Sequence, residues 1–369
     1  MTAPLRILVD CRYVRTDHHD GISRYSARLV EALARRHPVE MLIHDEAQLR
    51  MLPDLPWHRI SSPTNWREPW VARQVNRLEP DVVFTTLQTM GDSGRRYGFV
   101  LTLHDLIYHR HRTPPRGLPA IIRLGWWLYH LTYLPQRLSV GRGDEVVTVS
   151  ETTKELIARH RLARSPVTVV PNAADPLAAA SGPRSAPTTR DLVYMGSFMP
   201  YKNVETLARA LQELPGYRLH LCSRITDADR ARLEAIAPEG ALVVHDGVSD
   251  DEYAELLGGA HALVSASRDE GFGIPLVEAM SLGTPVVVSD IPIFREIGGD
   301  AALVAPADEA SAFAERLRAL EDPAEWEARS AASREQAQLF DWDRSAGILL
   351  EVLTRVGTAS RARRGRSRP

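Results

Sequence analysis

One rhythm, run through twice, constrains this chain more than any other feature. A short apolar run is followed by a polar or glycine-bearing loop, then by a segment with helical spacing, and the cycle begins again. The runs fall at 5–9, 82–86, 99–103, 145–149 and 167–170, and the pattern restarts at 192–195, 219–222, 242–245, 262–265, 285–289 and 302–304. Short apolar runs without polar alternation suit strands covered on both faces, which means parallel sheets joined by crossover helices. Residues 173–190, AADPLAAASGPRSAPTTR, interrupt the rhythm with proline and small side chains, the composition of an inter-domain linker. With 369 residues there is length for two cores. The expectation is an α/β fold of two facing, Rossmann-like, doubly wound domains at 1–175 and 191–342, joined by a linker at 176–190. Their strand-end loops would share a cleft, where such sheets take ligands. A helix at 343–357 is expected to cross back to the first domain. The tail at 358–369, ending RARRGRSRP with five arginines and no apolar anchor, is expected to be disordered.

Charge narrows the partners. Forty-five basic against 47 acidic residues leave −2, so nothing points to nucleic acid as a ligand. Only Lys154 and Lys202 are lysines, against 43 arginines. A coding bias that replaces lysine by arginine accounts for most of this, and it makes a surviving lysine informative about its site. Cys11 and Cys222 lie far apart without metal-ligand spacing, which favours a reducing compartment over a disulfide framework. No signal-peptide pattern precedes the first apolar run, and residues 118–138 are broken by Arg123, His130 and Pro135, short of the roughly 20 apolar residues a spanning helix needs. The expected location is cytoplasmic. The basic tail and the aromatic run Trp126, Trp127, Tyr129 and Tyr133 leave open peripheral contact with the inner face of a membrane. The plainer readings are a solvated terminus and a packed helix.

The segment 262–290, ALVSASRDEGFGIPLVEAMSLGTPVVVSD, carries the most chemistry. A strand ends near Ser267, a glycine-bearing loop follows, and Pro275 suits the first turn of a helix. Gly271 and Gly273 let backbone approach a ligand, and amides at the helix start, around Ile274 to Val277, are placed to hold a diphosphate. Glu270 and Glu278 flank this turn. Carboxylates suit paired hydroxyls rather than phosphate, so sugar and ribose are their natural targets. Taken singly, Glu278 would only favour the helix dipole and Glu270 be a solvated loop charge; the arrangement argues otherwise. In 191–211, DLVYMGSFMPYKNVETLARAL, helical spacing begins near Asn203 and puts Lys202 in the strand-to-helix loop. A compact ammonium there neutralises phosphate oxygens and stabilises a departing diphosphate.

These residues resemble a known family. The E-x7-E spacing in EGFGIPLVEAM, the loop MPYKN, the stretch VHDGVSDDEYAELLGGAHALVSAS and VVPN ahead of the linker are similar to the retaining, nucleotide-sugar-dependent family 4 glycosyltransferases (glycosyl transferases group 1) of the GT-B fold, from about Arg6 to Ala346. The start GISRYSARLVEAL resembles the Gly-Ile-x-Arg-Tyr of mannosyltransferase-like members. The resemblance implies catalytic roles for Glu270, Lys202 and His104, with Glu270 on the donor sugar and Glu278 on the ribose. It implies donor contacts from Gly21, Gly271, Phe272, Gly273, Ile274, Pro275, Leu276 and Val277, with Gly247 and Val248 bordering the nucleobase. One departure stands out: many relatives carry an arginine where this chain has Ser197 or Tyr201, which shifts diphosphate neutralisation onto Lys202 and the helix amides.

The implied reaction is transfer of a hexose, mannose favoured, from a nucleoside diphosphate sugar (GDP-mannose or a UDP-sugar) to an acceptor hydroxyl with retention. Acceptors would be a saccharide, a lipid-linked saccharide or a small molecule in glycan, glycolipid or polysaccharide synthesis. No metal or other cofactor is expected, since neither DHHD at 17–20 nor His104, His109 and His111 has a zinc spacing. Two other readings stay open, a nucleotide-sugar binding module without transfer activity and a nucleotide-sugar epimerase. A nicotinamide dehydrogenase is disfavoured because no Gly-x-Gly-x-x-Gly follows the first strand. Ser150 is read as a helix cap.

Overall fold

A computed structural model of the chain describes residues 4–17, 21–114, 119–175 and 184–366. Two compact units result: Met1–Asn172 together with Asp341–Pro369, and Ala173–Phe340. His18, His19 and Asp20 of the DHHD run lie outside the described residues, as do 176–183 of the expected linker and the last three residues of the tail.

The first unit holds β1 (Ile7–Asp10), β2 (Val39–Ile43), β3 (Trp57–Arg59), β4 (Val82–Thr85), β5 (Gly98–Leu103), β6 (Glu145–Thr148) and β7 (Val167–Val169). They form one parallel sheet in the order β3-β2-β1-β4-β5-β6-β7. Every residue of β1, β4, β5 and β6 is buried, as a sheet covered on both faces requires. Two of these strands escape a search for apolar runs. Glu40 interrupts β2, where it is tolerated because Arg6 Nε donates to it at 2.7 Å and the His58 ring lies 2.5 Å away. The three residues of β3 are partly exposed at the sheet's edge.

The second unit holds β8 (Asp191–Tyr194), β9 (Arg218–Leu221), β10 (Leu242–Val244), β11 (Ala262–Ser265), β12 (Val286–Ser289) and β13 (Leu303–Ala305). These are parallel in the order β10-β9-β8-β11-β12-β13. Its core gathers Leu219, Val264, Phe313 and Trp326, the last donating from its indole nitrogen to the His261 carbonyl at 2.8 Å. In both sheets the chain runs outward from a central strand and then returns to its other side. The order therefore reverses between β1 and β4, and between β8 and β11, and the crevice at the strands' carboxyl ends there is where doubly wound sheets take ligands.

The C-terminal tail corrects an expectation. A single helix runs Trp342–Arg366, so residues 358–366 continue it instead of being disordered. Leu349, Val352, Leu353 and Val356 are buried, and β5 begins with Gly98 because a Cβ there would lie 2.7 Å from Val356. The arginines find partners at the sheet's amino-terminal edge: Arg355 reaches buried Glu145 at 2.6 Å, and Arg361 and Arg364 both bind Asp81. Burial alone would raise the Asp81 carboxyl, but these arginines and the Arg6 amide hold it below its ordinary value.

The aromatic run also departs from a simply packed helix. The helix Ala120–His130 has no buried residue. Trp126 lies tilted against His130 at 4.1 Å and meets Tyr108 edge-on at 5.1 Å, while Tyr133 stacks on His109 at 4.5 Å; Trp127 remains exposed.

Candidate active site

In the second unit the two loops that leave the sheet at its reversal point are bound to one another. The loop after β8 ends in a short turn, Pro200–Lys202, and Asn203, in the left-handed region at φ 53°, starts the helix Val204–Ala210. Asn203 Nδ2 donates to the Ala266 carbonyl at 3.2 Å and to the Ala307 carbonyl at 2.6 Å. The Arg268 amide donates to the Tyr201 carbonyl at 2.7 Å, and its guanidinium reaches the Pro200 carbonyl and the Asn203 side chain at 2.9 and 2.8 Å. The loops are thereby held in register.

That register places Lys202 Nζ 2.5 Å from Glu270 Oε1, with the side chains only 15% and 14% exposed. The same oxygen accepts from Ser267 Oγ at 2.9 Å. Among the described residues the second Glu270 oxygen takes no partner, and two of the three ammonium N–H groups remain for a ligand. The other lysine makes an ordinary pair: Lys154 meets Glu151 at 3.1 Å, one turn back on an exposed helix face. Ser150 caps that helix, accepting from the Thr153 amide at 3.1 Å.

The loop continues through Gly271 and Phe272 to Gly273, at φ 95°, which caps the helix Ile274–Ser281. Glu278 lies buried in its second turn. The amides here are fewer than the sequence suggests. Pro275 has none, and that of Leu276 donates to the Gly273 carbonyl at 2.9 Å. Of Ile274–Val277, only Ile274 and Val277 are left to consider. On the neighbouring edge Gly247 sits at φ 107°, beside the half-buried Val248, and a Cβ on it would touch the Arg224 stem at 3.3 Å. Arg224, exposed in the loop after β9, is a cation that the motifs do not single out. Its only signal is its place after a strand.

In the first unit His104 follows β5, half-buried. Its Nε2 donates to the Thr86 carbonyl at 2.8 Å, and Tyr25 meets the ring edge-on at 4.8 Å. Burial pushes the imidazole below its ordinary pKa, against the opposing Thr86 bond and Asp105 charge. The ring is therefore neutral, with Nδ1 an acceptor. Gly21 opens the helix Gly21–Ala34 in the open, since a Cβ there would meet nothing within 4 Å. A buried triad lies at this unit's reversal point and was not foreseen. Arg12 Nε donates to Asp10 at 2.8 Å, and its two terminal nitrogens each donate to Glu68 at 2.8 Å. The Ser61 carbonyl and the Gly91 amide complete it. The motif behind it is Asp-Cys-Arg directly after a strand, with Glu68 56 residues away. Both cysteines are free and buried, and burial pushes the Cys222 thiol up to about 12. Among the described residues no three His, Cys, Asp or Glu are grouped as a metal site, and no helix is long and apolar enough to cross a membrane.

Two parallel-sheet, Rossmann-like units of this kind are the fold of the GT-B glycosyltransferases. Residues 19–176 match the family described as Glycosyltransferase Family 4, and residues 181–338 match Glycosyl transferases group 1. The chain belongs to these group 1, family 4 glycosyltransferases. The O-antigen chain mannosyltransferase B of Escherichia coli is 34% identical over 164 residues, 41% of this chain and 42% of that protein. The GDP-mannose:cellobiosyl-diphosphopolyprenol alpha-mannosyltransferase of Xanthomonas oryzae pv. oryzae (strain PXO99A) is 28% identical over 260 residues, 64% of this chain and 68% of that protein. For the O-antigen relatives the match spans half of their length or less. The sucrose-phosphate synthase of Thermosynechococcus elongatus has a TM-score of 0.74 at 20% identity, covering 96% of this chain and 100% of that one, a likeness of fold.

Proposed function

We propose that the protein transfers mannose from GDP-mannose to an acceptor hydroxyl, with retention at the anomeric carbon. The observation that carries the reading is the Lys202–Glu270 pair at the reversal point of the second sheet. The donor follows the relatives, both named mannosyltransferases. Departure of the diphosphate leaves negative charge on phosphate and positive character on the sugar. The free N–H groups of Lys202 meet the first, and the open Glu270 oxygen accepts from sugar hydroxyls. Glu278 serves the ribose, and His104, neutral with Nδ1 open, accepts from a sugar hydroxyl. The acceptor's proton passes to the leaving phosphate, and no step calls for a metal. The acceptor is a saccharide, on a lipid carrier as in the Xanthomonas relative's name or free.

The test is nucleotide release from a panel of nucleotide sugars, with and without acceptor extract and with and without chelator. GDP-mannose should be turned over in an acceptor-dependent way in chelator. Glu270→Ala and Lys202→Ala should each fall by about a hundredfold or more. Unchanged release in both variants sinks the site assignment. Tight donor binding without turnover would favour a binding module, and an isomerised donor formed without acceptor an epimerase.

A further inference from the structure

The first unit exposes apolar surface in one place far more than elsewhere. Among the described residues, seven of the eleven large exposed apolar side chains fall between Ile121 and Leu138. On the helix Ala120–His130, Ile121, Leu124 and Leu128 stand at i, i+3 and i+7, one stripe, with Trp127 beside them; the next helix, Leu134–Val140, adds Leu134 and Leu138 at i, i+4. Ile121 is 80% and Leu138 64% exposed. The polarity of the first helix is inverted. Its Trp126 and His130 turn inward onto Tyr108 and His109, leaving the aliphatic stripe for solvent.

Charge identifies the occupant. From Leu106 to Gly143 the chain has six arginines and no carboxylate, although acidic residues outnumber basic ones overall. Arg112, Arg123 and Arg137 are exposed on this stretch. A protein partner would be met equally well by an apolar stripe with mixed charges. An apolar stripe with Trp, on a stretch whose acid–base charge is arginine without carboxylate, matches the acyl boundary and anionic headgroups of a bilayer. The helix has 11 residues and is too short to span, so it lies in the interface plane.

We propose that the helices Ala120–His130 and Leu134–Val140 are a membrane-docking surface that lays Ile121, Leu124, Trp127 and Leu128 into an anionic lipid leaflet. The surface stands apart from the donor reading and is tested without nucleotide sugar. The probe is flotation with vesicles of phosphatidylethanolamine and phosphatidylglycerol, against pure phosphatidylcholine. The full chain should float with the anionic vesicles, less so as salt rises. The Ile121→Gln/Leu124→Gln/Leu128→Gln variant should partition about a hundredfold more weakly. Arg123→Glu/Arg137→Glu should lose about tenfold on the anionic vesicles. Brominated acyl chains should quench part of the tryptophan emission, and that part should vanish in Trp127→Phe. The changes are at exposed positions, and an unchanged melting temperature confirms that each variant folds. A chain that stays with the soluble fraction overturns the proposal, as does equal flotation of the triple variant. So does a lipid-free dimer, seen by sedimentation, that the triple variant abolishes, because the stripe would then belong to a second copy.

Discussion

The two sheets reverse their strand order in the same way, yet they treat charge at that point oppositely. At the β1/β4 reversal Arg12 is enclosed: Asp10 and Glu68 take its guanidinium from both sides, and a backbone carbonyl and amide complete the set. At the β8/β11 reversal one lysine meets one carboxylate, and both keep hydrogen-bonding capacity in reserve. One arrangement is saturated and the other is available. Topology places charge at both edges, but saturation decides which is scaffold and which meets a ligand.

The sharpest way to break that comparison is to open the saturated side. Arg12→Met would leave two neighbouring carboxylates with no cation, Asp10 among them fully buried. It should cost about 3–5 kcal/mol, read as a fall in the urea midpoint. Adding Asp10→Asn and Glu68→Gln to it should restore much of the loss, since a neutral cluster leaves no buried charge. If Arg12→Met is no less stable than the parent, the triad is not the scaffold described.

On the available side the balance should invert. Lys202→Ala should lower turnover by about 10²–10³-fold while costing less stability than Arg12→Met, because the Glu270 it leaves still accepts from Ser267. Lys202→Arg separates charge from shape: full turnover would mean that any cation suffices there. A smaller effect is expected at Gly273, whose φ of 95° suits glycine and whose added Cβ would lie 3.1 Å from Phe294. Gly273→Ala should cost about 1–2 kcal/mol in chemical denaturation. A neutral result would mean that the loop relaxes without its left-handed residue.

The legible parts of the sequence are those where one local signal suffices. Short, mainly apolar runs mark eleven strands, and Pro275 and Asn203 mark helix starts within a residue. Lys202 and Glu270 stand out because each lies in a loop between a run and a helix. What stays hidden depends on partners distant in the chain. Glu40 disguises β2 until Arg6 and His58 are seen beside it, and the arginines of the tail look solvated until Asp81 appears beneath Arg361 and Arg364. Arg12 needs Glu68, 56 residues on. The amide tally at Ile274–Val277 fails for a nearer reason, the cap geometry that spends the Leu276 N–H on Gly273.

His104 tests whether the first unit's edge contributes anything besides scaffold. It is neither saturated like Arg12 nor charged like Lys202: one ring nitrogen is given to Thr86 and the other is left as an acceptor. Replacing it with Gln keeps a polar side chain but not the ring geometry. One hydrogen bond to a sugar hydroxyl is worth about 1 kcal/mol, so His104→Gln should lower turnover by about tenfold or less. Acid provides the second reading. Burial depresses the imidazole below its ordinary 6.5, so below that pH the unfolded chain binds a proton that the folded chain resists. The neutral ring's contribution to stability is therefore complete above about pH 6.5 and is lost as the pH falls through the lower, folded value. Between pH 7 and 5 the parent should lose more stability than His104→Gln, and an acid limb in the parent's turnover should be absent from the variant. Parallel stability curves and an unchanged acid limb would return His104 to the scaffold and leave the second unit's loops as the sole source of the chemistry.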